Sequence, residues 1–474
     1  MWKFAALFCM AASLPAGNIK TPGADYSQFE KKLSKDQSIL HALNRLTFGP
    51  RPGDIAAVKK MGLEKWIDLQ LHPERIAQRP QLDVRPSPAG NSAQVQPAQY
   101  AQDKIYRAVY SNRQLEEVLV DFWYNHFNVD MTKGADRRLV PAYERDAIRP
   151  NALGKFRDLL GATAHSPAML FYLDNWQSVA PEQTGRANAK RPTRGLNENY
   201  ARELMELHTL GVDGGYTQHD IIEVARCFTG WTIDRPNQDS GGTFRFDART
   251  HDKAEKIVLG VTIPAGGGMD DGETVLDILA RHPSTAKFIS KKLAERFVAD
   301  DPPPALIARM AQTFQATGGD IRAVLATMFG SREFFSQGAY RAKVKTPLEL
   351  VVSAARATGA RVESEAGLVN QTGVLGEALY RKIEPTGYSS ANAEWVSSTA
   401  LLARMNFAIQ LAGNHVQGVL MDSSRFSNDP AAAAKQILFA DASAQTLHSI
   451  QKKPAPPKAD LIGLILGSPD FQRK

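Results

Sequence analysis

The chain has 474 residues, a formal net charge of +7 and 43% hydrophobic residues. A chain of this length and composition can bury a large core. Its basic residues are spread along the sequence and form no stripe interleaved with aromatic residues. This distribution argues against nucleic acid as a partner and favours an affinity for acidic surfaces of the cell envelope.

Cysteine is sparse, which limits both disulfide and zinc chemistry. Cys9 lies in a segment that we expect to be removed, so the mature chain would keep only Cys227. This excludes an intramolecular disulfide and a zinc site built on cysteine pairs. Because free cysteine is among the most buried residue types, we predict that Cys227 is a buried, unreactive thiol.

The first residues have the pattern of a secretory signal peptide. Residues 1–16 contain one lysine, an apolar run from Phe4 to Leu14, and a small residue, Ala16, at the expected cleavage point. The apolar run is too short to span a bilayer, and no later segment approaches the ~20 apolar residues of a transmembrane helix. We therefore expect a periplasmic or secreted protein without a transmembrane segment, in which residues 17–36 form a polar leader.

Helical spacing of apolar residues dominates the rest of the chain. It begins at Ile39 and returns in most later segments, including a long amphipathic helix predicted over 100–124. We predict a mainly α protein, a large multi-helix globular bundle, with residues 37–474 forming a single large helical domain. A proline-rich loop at 79–99 and a basic loop at 178–195 interrupt the helices.

One short region departs from the helical pattern. Phe244 and Phe246 alternate with polar residues, and Lys256 to Val261 is short and β-branched. These features predict a small β-hairpin insertion near 244–261.

The richest concentration of ionisable residues on ordered elements lies between Gly195 and Ile233. The sequence GLNENYARELMELHTLG predicts a helix with one apolar face and one polar stripe. The stripe consists of Glu198, Arg202 and Glu206, one turn apart, and it is flanked by Asn199 and Glu203. Few other parts of the chain carry so many charged side chains on one helix.

A glycine turn separates this helix from a second one. Thr217 followed by Asp220 predicts a capping box at the start of the second helix. The polar face of that helix carries Glu223 and Arg226, and the segment closes at Trp231. The whole stretch is therefore predicted to form a helix, a turn and a helix.

The same residues carry a family resemblance. NENYARELMELHTLGVDGGYT, followed by ARCFTGW, resembles the signature of the bacterial domain-of-unknown-function family 1800, a group of secreted proteins. Agreement extends to HALNRLTFGPRPGD near the start, FWYNHFNV at 122–129, HDKAEKIVLG at 251–260, HPSTAKFISKKLAERFVADDPP at 282–303 and LLARMNFAIQLAG near the end. The resemblance covers the chain from about Leu40 onward and implies a family without an assigned reaction. Members are often encoded beside a second secreted protein that resembles a sulfatase, which implies such a partner.

The three glutamates of the first helix allow two interpretations. On an exposed face, like charges one turn apart cost only ~0.2–0.5 kcal/mol, and Arg202 would offset that cost in a structural ion-pair network. In a cleft, an unpaired charge would cost several kcal/mol and would imply cations, shared protons or catalysis. The sequence leaves both interpretations open.

A metal site is the sharper alternative. Carboxylate-bridged di-metal bundles use Glu-x-x-His pairs, whereas Glu203 is followed at that spacing by Glu206, and Glu206 by Thr209. We therefore assign no metal ligand and leave the cofactor unknown, although His126, His251 or His219 could bring an imidazole from elsewhere in the fold.

Two histidines are further candidates. His251 precedes Asp252, and a histidine oriented by a nearby carboxylate can act as a general base near neutral pH. A His–Asp turn that satisfies backbone groups is the structural alternative. His126 ends an aromatic-rich helix, where a hydrogen-bonded core histidine is the alternative.

Motifs of serine hydrolases, phosphate loops and dinucleotide sites are absent from the sequence. The leading hypothesis is a carboxylate-based hydrolase or lyase acting on envelope or extracellular glycan. Its catalytic candidates are Glu203, Glu206, His126, His251 and Asp252, and its substrate-binding candidates are Arg202, Arg226, Trp231 and Asn199.

Two other hypotheses stay open. One is a non-catalytic periplasmic scaffold or binding partner of another secreted protein, and the other is a metal-dependent enzyme with a Glu/His site. An enzyme should bring the candidate residues together in one concave site. A scaffold should disperse them or pair them with one another, and should expose an apolar patch elsewhere.

Overall fold

The computed structural model of the protein describes residues 25–78, 82, 97–180, 195–235, 242–451 and 456–474. The predicted signal peptide at 1–16 lies outside the described residues, as do the first part of the polar leader and most of the loops at 79–99 and 178–195. In the part of the chain that is described, no helix is both long enough and apolar enough to cross a membrane.

The prediction of a mainly α protein is confirmed. The α-helices are α1 (Lys35–Leu46), α2 (Asp54–Met61), α3 (Leu63–Leu71), α4 (Pro97–Tyr110), α5 (Gln114–His126), α6 (Asp136–Ala142), α7 (Phe156–Ala164), α8 (Pro167–Tyr172), α9 (Glu198–Glu203), α10 (Gln218–Cys227), α11 (Asp270–Arg281), α12 (Pro283–Phe297), α13 (Pro304–Ala316), α14 (Ile321–Phe329), α15 (Pro347–Thr358), α16 (Ala366–Val374), α17 (Ser398–Ala412), α18 (Pro430–Ile437), α19 (Ala444–Ile450), α20 (Lys458–Leu466) and α21 (Pro469–Gln472).

Shorter helical segments connect them. Two π-helices follow α6 and α9 directly, at Tyr143–Ile148 and Leu204–Thr209. The 3₁₀ segments are Ser27–Glu30, Pro73–Arg75, Arg149–Asn151, Asn175–Gln177, Asn392–Trp395 and Ser423–Arg425.

Side-chain caps fix several helix starts. Ser34 and Gln37 form a capping box at the start of α1. The capping box predicted from Thr217 and Asp220 is also present at the start of α10. Each box satisfies backbone N–H groups that the first turn of a helix leaves without a partner, so the position of the helix start is set locally.

Two short antiparallel pairs occupy this part of the chain instead of the single hairpin predicted near 244–261, and the first pair begins ahead of that region. β1 (Trp231–Asp234) pairs antiparallel with β2 (Thr243–Phe246), and β3 (Lys256–Val258) pairs antiparallel with β4 (Val261–Ile263). A further two-residue pair joins β5 (Arg361–Val362) to β6 (Val419–Leu420). The alternating residues Phe244 and Phe246 therefore belong to β2, and the partner of β2 is β1, which comes earlier in the chain.

The long helix predicted over 100–124 is interrupted, which corrects that prediction. α4 ends at Tyr110 and α5 begins at Gln114. The side-chain amide of Gln114 donates to the carbonyls of Ala108 and Ser111, each at 3.0 Å. Because this buried amide satisfies carbonyl groups at the end of α4, the helix can end there without leaving those groups unpaired.

The core is continuous from one end of the described chain to the other. Most buried apolar residues between Phe29 and Phe471 form one connected cluster, which includes the fully buried rings of Trp123 and Trp231. A small second cluster consists of Ile39, Leu43 and Val58. Cys227 lies within the large cluster, as predicted, and burial raises the pKa of its thiol to about 12. At neutral pH the side chain is therefore an unreactive thiol.

Candidate functional site

The central helical segment begins at a side-chain cap. Asn197 precedes α9, and its side-chain oxygen accepts a hydrogen bond from the backbone N–H of Asn199 at 2.8 Å. α9 then continues without a break into the π-helix Leu204–Thr209, where Leu210 N donates to Met205 O at 2.9 Å, five residues back. Such π segments insert an extra residue into a helix and are frequent at functional sites.

The buried face of this helix fixes its orientation. Tyr200, Leu204 and Met205 are fully buried, and the Tyr200 ring packs edge-on against Phe228 at the end of α10, with ring centroids 5.1 Å apart. The opposite face therefore presents the polar stripe outward.

Arg202 is fixed between two of the predicted glutamates. Its guanidinium lies 3.7 Å from the Glu198 carboxylate and 3.4 Å from the Glu206 carboxylate. Gln218 joins the same group, accepting from Arg202 at 2.9 Å and donating to Glu198 at 2.7 Å. Because these side chains are partly exposed, the ion pairs contribute no more than about 1 kcal/mol each to stability.

Glu203 differs from its neighbours. It is partly buried, and among the described residues it has no hydrogen-bond or ion-pair partner. Burial raises the pKa of its carboxyl, the negative charge of Glu206 raises it further, and Arg202 acts in the opposite direction. The helix thus carries two carboxylates in different environments, of which Glu206 is ion-paired and Glu203 is not.

The π-helix leads to a cleft of about 360 Å³. One side of the cleft is the turn after the π-helix, and the other side is α12 from Ser284 to Glu295. The lining residues are Leu210, Gly211, Val212 and Asp213 on the turn, and Ser284, Lys287, Phe288, Lys291, Lys292 and Glu295 on α12. A volume of this size lies within the range of small-ligand sites, ~300–1,000 Å³.

Lys292 is the most unusual cation of the cleft. It is partly buried, and this burial lowers the pKa of its ammonium group. Its Nζ lies 5.9 Å from the centroid of the Phe288 ring, while neighbouring Lys291 pairs with Glu295 at 3.7 Å. Within the described part of the chain Lys292 has neither a hydrogen bond nor an ion pair.

His126 lies behind this wall. Its ring is 6.2 Å from the Phe288 ring, and its Nε2 donates to the backbone carbonyl of His208 at 3.0 Å. Burial and the charge of Lys292 lower the pKa of His126 well below its usual range, and burial lowers that of His208 to about 3. Both imidazoles are therefore neutral at physiological pH, and the hydrogen bond ties α5 to the π-helix.

Arg226 and Asp252 form part of a second group. The guanidinium of Arg226 binds Asp252 at 2.8 Å and Glu223 at 2.6 Å. Glu223 also accepts from the backbone N–H of Ile257 at 2.8 Å, which fastens β3 to α10. Arg226, Glu223 and Asp252 therefore form an ion-pair network in which each charge has a partner of opposite sign.

His251 is oriented by a carboxylate, but the carboxylate is Asp271 and not the adjacent Asp252. The His251 Nε2 lies 3.0 Å from Asp271, which also accepts from the buried Lys256 at 2.6 Å. The other ring nitrogen of His251 lies 2.8 Å from the carbonyl of Thr229. Both nitrogens of this buried ring are therefore engaged.

Trp231 is fully buried, so its ring belongs to the core and is not available to bind substrate. It packs against His165, Phe228 and Phe244. Gly272 lies so close that an added Cβ would be 2.5 Å from the Trp231 ring.

The structure thus divides the predicted site residues into two groups and one core residue. Asn199, Arg202, Glu203 and Glu206 share one helix, and His126 contacts the end of that helix through His208. Arg226, His251 and Asp252 belong to the second group. No hydrogen bond or ion pair between described residues joins the two groups directly.

Sequence reasoning did not single out the α12 residues of the cleft. The letters KFISKK at 287–292 place an aromatic residue and three lysines within six positions of this helix. A row of lysines with an aromatic residue one turn before the last of them was the available signal.

A second cavity, of about 180 Å³, was also unforeseen. It is lined in part by Glu144 of the first π-helix, which lies 3.3 Å from Lys104 and accepts from the Tyr380 hydroxyl at 2.8 Å. Burial alone would raise the pKa of Glu144, but Lys104 and Arg149 lower it overall. This carboxylate is fully paired and serves to hold its helices together.

No group of three or more His, Cys, Asp and Glu side chains within the described ranges is arranged to hold a metal ion.

Together these features define a mainly α protein with a polar helix leading into a lysine- and aromatic-lined cleft. The family described as "Protein of unknown function (DUF1800)" matches residues 41–473, nearly the whole chain. The chain belongs to this family. Comparisons with curated proteins and with solved structures gave no match.

Proposed function

We propose that the protein is an exported, carboxylate-based hydrolase or lyase that acts on envelope or extracellular glycan. The observation that carries this proposal is the contrast between Glu203 and Glu206. Neighbouring carboxyl groups in different environments can take different roles in catalysis, one as a general acid and the other as its partner. The raised pKa of Glu203 suits a general acid, and the ion pair with Arg202 fixes the position of the Glu206 carboxylate.

In the proposed hydrolysis, two proton transfers accompany the substitution at the anomeric carbon. Glu203 donates its proton to the glycosidic oxygen as the bond from that oxygen to the anomeric carbon breaks. Glu206 accepts a proton from the water that attacks the anomeric carbon. Proton exchange with solvent then restores both carboxyl groups. For a lyase, Glu206 would instead remove a proton from the ring carbon next to the one that carries the glycosidic oxygen. A C=C bond would form as the bond from that second carbon to the glycosidic oxygen breaks, Glu203 would protonate the leaving oxygen, and no water would be consumed.

The other candidates on this helix take supporting roles in the proposal. Arg202 and Asn199 lie on the exposed side of the same helix and would contact substrate hydroxyl groups. His126 would position the π-helix through the carbonyl of His208. His251, Asp252 and Arg226 are engaged with their own partners, which is the arrangement that the scaffold hypothesis expects of them. The proposal therefore places the reacting groups at Glu203 and Glu206 alone.

Matched glutamine substitutions test this assignment. Glu203→Gln and Glu206→Gln should each lower kcat by about 10² to 10⁴ because they remove a proton-transfer group. Glu198→Gln is the control, since it removes an exposed carboxylate from the same stripe. Equal activity of all four proteins would contradict the assignment.

Export is the second part of the proposal, and it rests on the signal-peptide pattern at residues 1–16. N-terminal sequencing of the protein recovered from the periplasm and medium of an expressing bacterium should give a start near Gly17. Recovery of the chain only from the cytoplasm, with its first residues intact, would contradict export.

A second candidate function is supported by a different surface. On α17, Leu401, Leu402, Met405 and Ile409 recur at helical spacing and are exposed, Leu402 to 61%. The one charged residue of α17, Arg404, is buried. Such an uncharged apolar stripe suits a partner that presents an uncharged apolar face.

In this second function the protein binds another secreted protein, and the sulfatase-like protein implied by the family resemblance is the proposed occupant. Leu402→Asp with Met405→Asp should abolish binding of that purified protein. Val374→Asp on α16, which is also exposed, serves as the control. Self-association that the same double substitution removes would instead identify a second copy of the chain as the occupant.

A further inference from the structure

We infer that the cleft between the π-helix turn and α12 binds an acidic sugar unit, one that carries a carboxylate or a sulfate. This inference deepens the proposed function and rests on it for the identity of the ligand as a glycan. It depends on the charge, the shape and the position of the cleft.

The charge of the cleft comes from α12. Lys287, Lys291 and Lys292 all line it, and only Lys291 has an ion-pair partner among the described residues. A partly buried lysine without an anionic partner has lost some of its hydration, and a bound anion would offset that loss. Lys292 therefore marks the place where an anionic group of the ligand would lie.

The shape of the cleft suits a sugar ring. Phe288 is partly buried on the same face as Lys292, and an aromatic face packs well against the C–H groups of a sugar. Gly211 makes room for this ring, since an added Cβ would lie 2.8 Å from the Phe288 Cδ2. Ser284, whose hydroxyl donates to the carbonyl of Gly214 at 3.1 Å, holds the two walls together.

The opposite wall is less basic. It carries Asp213, which is exposed, so the lining is positive on the α12 side only. An acidic sugar would therefore bind with its anionic group toward Lys292.

The position of the cleft connects it to the proposed chemistry. Leu210 of the lining follows Glu206 by four residues, about one turn of helix or ~5 Å along the axis. A chain of sugar units that fills the cleft would extend from Lys292 toward the two carboxylates.

Binding measurements separate this inference from catalysis. The probes are an oligogalacturonide, a sulfated galactan oligosaccharide and a neutral galactan oligosaccharide of matched length, titrated calorimetrically into the mature protein carrying Glu203→Gln. At least one anionic probe should bind, and more tightly than the neutral one. Binding of the oligogalacturonide would identify a carboxylate as the anionic group of the ligand, and binding of the sulfated oligosaccharide would identify a sulfate.

Substitutions then locate the contact. Lys292→Met should weaken binding of that anionic probe by about 10- to 100-fold, the usual effect of losing a charge-assisted hydrogen bond. Lys292→Arg should restore part of the affinity, and Lys60→Met, at an exposed lysine of α2, should change nothing. Lys287→Met gives a second test if Lys292→Met does not fold.

Three outcomes would overturn the inference: no binding of either anionic probe, equal affinity for the neutral probe, or full affinity in both lysine variants. Binding through Lys292 without any cleavage by the unsubstituted protein would instead leave the inference standing and remove the proposed catalysis.

Discussion

Replacing Glu203 by glutamine should leave the fold at least as stable as before while removing the acid. The amide removes the repulsion between Glu203 and Glu206, which is ~0.2–0.5 kcal/mol for like charges one turn apart on a helix. It also removes part of the cost of burying a carboxylate without a partner. Because the side chain is still partly exposed, solvent screening limits the total gain to about 1 kcal/mol.

The stability gained by Glu203→Gln should depend on pH. The pKa of Glu203 is higher in the folded chain than in the unfolded chain, so between the two values the folded state binds more protons. The unfolding free energy therefore falls as pH rises through that window. At pH values below ~4.3, the usual pKa of glutamate, the substitution should have no effect, and its full gain should appear above the raised pKa.

Calorimetric melts of the two proteins at pH 4 and pH 7.5 provide the assay. For a chain of this length we expect a gain of at most ~2 °C at pH 7.5 and no difference at pH 4. Glu198→Gln is the control and should stay within ~0.5 kcal/mol at both values. A loss of more than ~1 kcal/mol for Glu203→Gln at pH 7.5 would refute the reasoning, because it would show that Glu203 belongs to a structural ion pair.

Three further predictions concern other parts of the fold. Asp271→Asn leaves the buried Lys256 without its partner and should cost about 3–5 kcal/mol, so a melting temperature within 1 °C of the original would contradict a structural role for this pair. Gly211→Ala adds a Cβ at φ +82° against Phe288, and should cost about 1 kcal/mol and weaken oligosaccharide binding in calorimetry; unchanged binding would remove Phe288 from the ligand surface. Burial alone would raise the pKa of Glu349, but its buried cationic partners hold it well below its usual range, so Glu349→Gln should cost about 3–5 kcal/mol at pH 7 in denaturant titrations and much less at low pH; a pH-independent cost would argue against an ionised Glu349.

Local signals in the sequence predicted local structure well. The capping box of Thr217 and Asp220 is set by two residues three positions apart, and the mainly helical pattern follows from apolar spacing within each segment. The interruption at 111–113 was missed because it depends on the buried amide of Gln114, whose partners become clear only when the helices are folded back on one another. The pairing of β1 with β2 was missed for a similar reason, because alternating apolar and polar residues indicate a strand but do not identify the strand that pairs with it.

The candidate site was predictable only in part. The polar stripe on α9 followed from helical spacing, but the difference between Glu203 and Glu206 depends on burial and on where Arg202 points. The partner of His251 is Asp271, twenty residues away, and sequence proximity had favoured Asp252. The contribution of α12 to the cleft is a tertiary contact, which spacing within one helix cannot predict.

The most direct test of the account is the release of sugar chain ends from uronate- and sulfate-bearing envelope glycans by the mature protein and by its Glu203→Gln variant. The account predicts that the unsubstituted protein releases new chain ends and that the variant does so about 10² to 10⁴ times more slowly while it still binds the glycan. No release by the unsubstituted protein on either class of glycan, or equal release by the variant, would contradict it.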